Sequence, residues 1–134
     1  MAKFSNNSKI KLRSCDEKLQ LLFNVVIQNF DCTIIDGYRS NIEQNRLFLE
    51  KKSKLSAGKS KHNTNPSKAI DAAPYIAGKG LSFDLNQCYF FAGYVIRIAE
   101  ELGITLRWGG DWDSDGNLND QSFNDLVHFE LLGE

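Results

Sequence analysis

The stretch Ser60-Lys61-His62-Asn63-Thr64-Asn65-Pro66-Ser67-Lys68-Ala69-Ile70-Asp71-Ala72-Ala73-Pro74-Tyr75 decides how this chain folds. Its first half is polar, basic and interrupted by Pro66. Together with residues 53–59 it reads as a long loop, and long loops in compact domains often carry function. Its second half, Ala69-Ile70-Asp71-Ala72-Ala73, is apolar on both sides of one carboxylate and reads as a buried strand closed by Pro74. A carboxylate in such a strand is costly to bury alone, so Asp71 needs a cationic partner, a metal ion or an arginine.

Working outward, the flanking segments alternate between helix and strand signals. Ser14-Cys15-Asp16-Glu17 has the form of a capping box. Leu19, Leu22, Phe23, Val26 and Ile27 behind it predict an amphipathic helix over 15–29. Cys32-Thr33-Ile34-Ile35 predicts a short strand ending at Asp36-Gly37. Ser40-Asn41-Ile42-Glu43 is a second capping box, opening a helix over 41–52 with Leu47 and Phe48 inward. Asp84, with Gln87 three residues on, caps a third helix. Its inward stripe is Phe91, Val95, Ala99 and Leu102, and Gly103 stops it. Ile104–Trp108 and Val127–Leu131 predict two further strands around a Gly/Asp/Asn-rich loop over 109–124. The order predicts an α+β domain, about three helices on a small, mainly antiparallel sheet. One domain spans 1–134, with residues 1–13 expected as a loosely packed N-terminal segment.

Composition narrows the function. The chain has 134 residues, 42% hydrophobic, with net charge −1, so a strong electrostatic case for nucleic acid is missing. That balance conceals an asymmetry: residues 1–70 carry 13 Lys and Arg against 6 Asp and Glu, and residues 71–134 carry 3 against 11. A basic half can lean on an anionic polymer, or the two halves can attract each other in the fold. Cys15, Cys32 and Cys88 are odd in number and form no C-x-x-C pair, which favours buried free thiols over disulfides or a thiolate zinc site. No apolar run has the length of a signal peptide or membrane span, so the chain is expected to be made in a cytoplasm and not to insert stably in a membrane.

The histidine inventory is only His62 and His128. With Asp71 they offer two imidazoles and one carboxylate, a donor set that suits zinc and leaves a fourth position for water, as in catalytic zinc sites. Read as residues alone, His62 is equally at home exposed in its polar loop, and His128 half-buried in its strand. Asp125, three residues before His128, is placed to move a proton beside such a metal. Arg39 offers a cationic fork for a substrate carboxylate or a developing oxyanion. Asp111-Trp112-Asp113-Ser114-Asp115-Gly116 has the D-x-D-x-D-G form of the first half of a calcium-binding loop, with Asp111, Asp113 and Asp115 as candidate ligands. Its twelfth position is Ser122 rather than the bidentate Glu.

Ser60-Lys61-His62 followed by Ala69-Ile70-Asp71 resembles the S-x-H…A-x-D motif of the D-alanyl-D-alanine carboxypeptidase-type zinc peptidases. Their superfamily also holds lysostaphin-like enzymes and the hedgehog signalling domain. Asp125-Leu126-Val127-His128-Phe129-Glu130 is similar to that family's second motif. Gly37-Tyr38-Arg39-Ser40 resembles its arginine-containing turn, and Arg107-Trp108-Gly109-Gly110-Asp111-Trp112 the stretch after its third helix. The resemblance covers about residues 14–132 and is strongest to bacteriophage L-alanyl-D-glutamate peptidase endolysins, some of which have a calcium-responsive loop at the Asp-rich position.

The resemblance implies a hedgehog- and D-Ala-D-Ala-peptidase-like fold. It implies His62, Asp71 and His128 as zinc ligands, Asp125 as the catalytic acid/base, Arg39 as the group that polarises the scissile carbonyl or holds substrate, and Ser60 as a substrate-side hydrogen-bonding residue. The implied function is a zinc-dependent peptidoglycan hydrolase cutting a stem-peptide amide, L-alanyl–D-glutamate. It would act as a monomer on the cell wall once the membrane is permeabilised. The alternatives are a D-alanyl-D-alanine carboxypeptidase and an inactive hedgehog-like binding domain. One departure from the family stands out: Asp71 follows His62 by nine positions rather than the usual seven, so the intervening loop must bulge outward if both are to reach one ion.

Overall fold

The computed structural model describes residues 2–53, 55–119 and 124–133. Its helices are α1 (Asn6–Arg13), α2 (Glu17–Val26), α3 (Asn41–Leu49) and α4 (Leu85–Glu101). Its strands are β1 (Cys32–Asp36), β2 (Ala69–Ile76), β3 (Gly80–Leu81), β4 (Leu106–Gly109) and β5 (Asp125–Leu131), and a single 3-10 turn covers Lys61–Asn63. The sheet runs β1-β2-β5-β4 with every pairing antiparallel, and β3 pairs the far end of β2. This is the expected α+β architecture, with one more helix and one more strand than the sequence pattern indicates.

The register of this sheet builds the site. Asp71 on β2 stands opposite His128 on β5 and also opposite Asp36 on β1, while Arg107 on β4 stands opposite Glu130 on β5. Strand side chains alternate between faces. Ile70, Ala72, Phe129 and Leu131 therefore enter the apolar core, and Asp71, His128 and Glu130 lie on the other face. Helices α2 and α4 close the core side, contributing Leu19, Leu22, Phe23 and Val26 from one and Phe91, Ala92, Val95 and Ala99 from the other. Phe129 sits between them, edge-on to Phe23 at 5.8 Å and to Phe91 at 6.2 Å. Each such buried side chain stabilises the fold by about 1.5–3 kcal/mol relative to exposure.

The N-terminal segment is not loosely packed. Ser5 caps α1, and Phe4, Ser8 and Leu12 are buried. The Ser8 hydroxyl accepts the Ile34 N–H at 3.0 Å, which joins α1 to β1. A short polar sequence with one serine on its buried face carries no apolar periodicity to announce this. Helix α2 begins two residues later than expected because Asp16 caps it, accepting the Lys18 N–H at 2.9 Å. Ser14 instead ends α1, and its hydroxyl accepts the Tyr38 N–H at 2.9 Å. The caps at Ser40 and Asp84 are present, but the capping box expected at Ser40 is only half formed, because the Glu43 carboxylate pairs with Arg46 instead of turning back to the cap.

Phe48 is 42% exposed rather than inward, and the residue that α3 buries completely is Gln44. The reason is position: α3 lies on the polar face of the sheet, so its inner side serves side-chain hydrogen bonds rather than the apolar core. All three cysteines are free and buried, and burial pushes the Cys15 and Cys32 thiols up to about 12.

Candidate active site

Asp71 is the hub of the polar face. Its Oδ1 lies 3.2 Å from His62 Nε2 and 3.2 Å from His128 Nδ1. His62 is 1% exposed and His128 7%. Each imidazole is fixed from behind. His62 Nδ1 donates to the Gly37 carbonyl at 2.7 Å, which directs Nε2 at the hub. His128 Nε2 donates to Glu130 Oε1 at 2.8 Å, leaving Nδ1 toward Asp71. Burial alone pushes the Asp71 carboxyl up, but hydrogen bonds from His128 and His62 outweigh it and hold it well below the usual carboxylate range. Burial disfavours charge on His128, yet Asp71 and Glu130 on either side raise it to about 9. Glu130, opposed by its own burial, is drawn down to about 2 by His128 and Arg107.

These three residues fit a metal. A tetrahedral zinc site with bonds of 2.0–2.2 Å places neighbouring donor atoms about 3.3 Å apart. The observed 3.2 Å spacings match, and one donor atom from each of His62, Asp71 and His128 lies within 4.8 Å of the other two. The donor set is two imidazole nitrogens and one carboxylate oxygen. Both imidazoles have the outer hydrogen-bond partner, carbonyl or carboxylate, that metal-ligating histidines use to fix ring orientation.

The extra residues between His62 and Asp71 leave the hub intact because they bulge outward. Thr64, Asn65 and Pro66 are exposed. The loop is closed at its base by the Lys68 N–H, donating to the Lys61 carbonyl at 3.2 Å and to Thr64 Oγ1 at 3.0 Å. His62 itself is fixed by the 3-10 turn, whose cap Ser60 accepts the His62 N–H at 3.1 Å. The nine-residue step from His62 to Asp71 therefore still brings both side chains to one point.

Gly37 is required where it stands. A Cβ there would lie 2.4 Å from the Lys11 carbonyl and 2.5 Å from Ser14 Oγ. That close approach lets the Gly37 carbonyl reach His62. The next turn residue, Arg39, is 10% exposed at its side chain. Its Nε and Nη2 donate to Asp36 Oδ2 at 3.0 and 2.8 Å, Nη1 donates to Gln44 Oε1 at 2.8 Å, and Nη2 reaches Asp71 Oδ2 at 3.5 Å. Arg39 thus occupies the outer oxygen of Asp71 and leaves Oδ1 to the histidines.

One cleft of about 380 Å3 joins these groups, lined by Arg39, Ser60, His62, Asp71, Asp125 and His128. The sequence-predicted residues of the first site therefore converge on one space. Asp125 opens β5 at the cleft edge, where burial, followed by the nearby Asp71 charge, raises its carboxyl above the ordinary value. Gly109 faces it so closely that a Cβ would lie 2.2 Å from the Asp125 carbonyl oxygen. Trp112 lies over the His128 ring at 5.4 Å between centroids.

The second predicted cluster also forms. One carboxylate oxygen from each of Asp111, Asp113 and Asp115 lies within 4.8 Å of the others. Asp111 Oδ2 accepts the Gly116 N–H at 2.9 Å, while its buried Oδ1 has no hydrogen-bond partner among the described residues. Ser122 lies outside the described residues.

Sequence reasoning assigned no role to Glu130, Gln44, Asp36 or Arg107. The D-x-x-H-x-E spacing held a signal for Glu130, since residues two apart in a strand share a face. The others depend on cross-strand register and on a helix packed against the polar face, which no local pattern reports.

Comparison with known proteins accords with this geometry. The profile of the family described as "Phage L-alanyl-D-glutamate peptidase" matches residues 1–132. The L-alanyl-D-glutamate peptidase of Escherichia phage T5 is 35% identical over 141 residues, spanning 97% of this chain and 98% of that protein. Among solved structures, the Serratia marcescens L-Ala D-Glu endopeptidase ChiX superposes with a TM-score of 0.76 at 23% identity, covering 96% of this chain and 90% of that one. The vancomycin-resistance D,D-dipeptidase VanXYg, solved with a D-Ala-D-Ala phosphinate analog, gives 0.54 at 21% identity, covering 87% and 48%. At those identities the two structures speak for the fold alone, whereas the profile and the phage relative span nearly the whole chain. The chain belongs to the phage L-alanyl-D-glutamate peptidase family.

Proposed function

We propose that this chain is a zinc-dependent peptidoglycan peptidase, an endolysin that hydrolyses the L-alanyl–D-glutamate bond of the stem peptide. The observation that carries the reading is the His62–Asp71–His128 donor cluster, opening on a cleft that also holds Asp125. When bound, zinc supplies Lewis acidity, lowering the pKa of water toward about 7 and polarising an amide carbonyl. His62, Asp71 and His128 would hold it.

The chain's own residues do the rest. Asp125, with its carboxyl raised by burial and by Asp71, takes a proton from the attacking water and delivers it to the departing amine. Arg39 fixes Asp71 and keeps one Nη1 hydrogen for a substrate carbonyl, since the described contacts use four of its five N–H groups. Ser60 acts chiefly by holding the His62 backbone. Trp112 shields His128 on its cleft side. Four cations, Arg39, Lys52, Lys61 and Arg107, line the cleft against three carboxylates, Asp71, Asp125 and Glu130, an excess that suits an anionic stem peptide.

The enzyme acts on the wall as a monomer after membrane permeabilisation. None of the described helices is long and apolar enough to cross a membrane. Calcium binding at Asp111, Asp113 and Asp115 is a second element of the proposal, supported by the unpartnered Asp111 Oδ1.

The test is incubation with purified peptidoglycan, with and without a strong chelator. The expected result is chelator-sensitive release of fragments with a new N-terminal D-glutamate, restored by zinc. Absence of any new amino groups overturns the reading.

A further inference from the structure

We infer that Arg107, braced by Glu130 and Trp112, is the specificity-determining cation that receives the free carboxylate on the leaving side of the scissile bond. The inference rests on the peptidase reading above. Glutamate has two carboxyl groups, and a peptide that continues from it uses only one. The other remains an anion within a few bonds of the scissile nitrogen. A cleft that accepts this residue must pair that anion or bear the cost of desolvating it.

Of the four cations that line the cleft, three are committed or unfixed. Arg39 is 10% exposed at its side chain and engaged with Asp36, Gln44 and Asp71, which leaves a single Nη1 hydrogen, enough for a carbonyl but not for the paired oxygens of a carboxylate. The Lys61 ammonium donates to the Leu131 carbonyl and lies 3.6 Å from Glu130. Lys52 is 65% exposed and paired with Glu50 at 3.2 Å, a solvent-facing ion pair that contributes little fixed orientation.

Arg107 differs in each respect. It is 36% exposed at its side chain. Its Nε and Nη2 both donate to Glu130 Oε2, at 3.1 and 2.7 Å, which fixes the plane of the guanidinium. Its central carbon lies 5.7 Å from the Trp112 ring centroid, a second restraint on the same plane. The Nη1 end has no bond to Glu130, so a pre-oriented part of the fork remains for a carboxylate.

Its placement relative to the hub supports the same role. Glu130 bonds Arg107 with one oxygen and His128 with the other, and Trp112 contacts both Arg107 and His128. The guanidinium therefore stands one side chain away from a proposed metal ligand, on the β4 side of the cleft. Arg39 stands on the opposite, β1 side of the hub. A peptide lying across the hub meets one arginine on each side of its scissile bond.

The test uses two synthetic stem peptides that differ only in the free carboxylate of the D-glutamyl residue, acid in one and primary amide in the other. Wild-type protein is expected to favour the acid in kcat/KM by roughly tenfold to a hundredfold, the range of a hydrogen bond to a charged group. Arg107→Gln should bring the acid-to-amide ratio close to one, mainly through KM for the acid. Arg107→Lys should recover part of the preference. Zinc per chain, measured by atomic absorption, should stay near one in both variants.

Three results overturn the inference: no acid preference in the wild type, an unchanged ratio in Arg107→Gln, or loss of zinc in both variants. A wild-type protein that cleaves neither peptide and releases nothing from peptidoglycan overturns the peptidase reading itself. One that digests peptidoglycan while treating the two peptides alike overturns this inference alone.

Discussion

Zinc affinity should rise steeply with pH because His128 must lose a proton to bind. Between Asp71 and Glu130 its value is raised to about 9, so at pH 7 only about one molecule in a hundred presents a neutral ring. Zinc must displace that proton, at a cost of about 2.7 kcal/mol at pH 7 relative to pH above 9. The dissociation constant should fall about tenfold per pH unit near pH 7, or roughly twenty-five-fold between pH 7 and 8.5, and level off above 9. Competition with a chromophoric chelator over this range measures it. Calorimetry in buffers of different ionisation enthalpy should count about one proton released per zinc at pH 7.

The metal-free protein should respond in the opposite direction. A folded-state value above the unfolded 6.5 contributes stability that is complete below pH 6.5 and is lost as pH rises through about 9. The full loss is roughly 3 kcal/mol. Glu130, held down at about 2, contributes stability that is present above about 4.5 and is lost as pH falls toward 2. A zinc dissociation constant that changes less than threefold from pH 7 to 8.5, with a binding enthalpy independent of buffer, would refute this reasoning.

Other substitutions separate the roles assigned above. Asp125→Asn should lower kcat by about 10²–10⁴-fold, the usual contribution of a positioned acid/base, while zinc stoichiometry stays near one. Zinc loss in that variant would mean the carboxylate is a ligand instead. Gly109→Ala should cost about 1–3 kcal/mol in urea unfolding, because its Cβ meets the Asp125 backbone. Turnover should fall further than stability explains, since the strain bears directly on Asp125, and unchanged kcat would count against that. Calcium titrations should activate the wild type and fail to activate Asp113→Ala; identical curves would rule out a calcium role for the acidic loop.

The site was more legible in the sequence than its support. Asp71 announced itself as a lone carboxylate in an apolar strand, whereas His62, His128 and Asp125 were singled out only by motifs that resemble the peptidase family. The braces could not. Glu130 reaches Arg107 only through the β4–β5 register, and Gln44 looks like an ordinary exposed helix residue until α3 is placed on the polar face. Helix α1 was missed because it carries no apolar periodicity, and the displaced cap of α2 has a separate cause. Ser14 and Asp16 are both good capping residues; the Ser14 hydroxyl is taken by the Tyr38 N–H, and Asp16 caps the helix. The charge asymmetry also finds a partial account, since the basic and acidic halves meet at Arg39–Asp71, 3.5 Å, and Lys61–Glu130, 3.6 Å.

The pairing of Asp71 with His128 across the two central strands has a consequence for assembly of the fold. A slip of one residue along β5 would present Val127 or Phe129 to Asp71 and turn His128 toward the apolar side. The misaligned sheet could then offer no more than two of the three donors. An ion captured there stabilises only the correctly aligned chain, and by mass action it drains misaligned states toward that one. The ion proposed to serve hydrolysis would thus act as a proofreader of strand alignment. Refolding in the presence of zinc should then be cleaner as well as tighter.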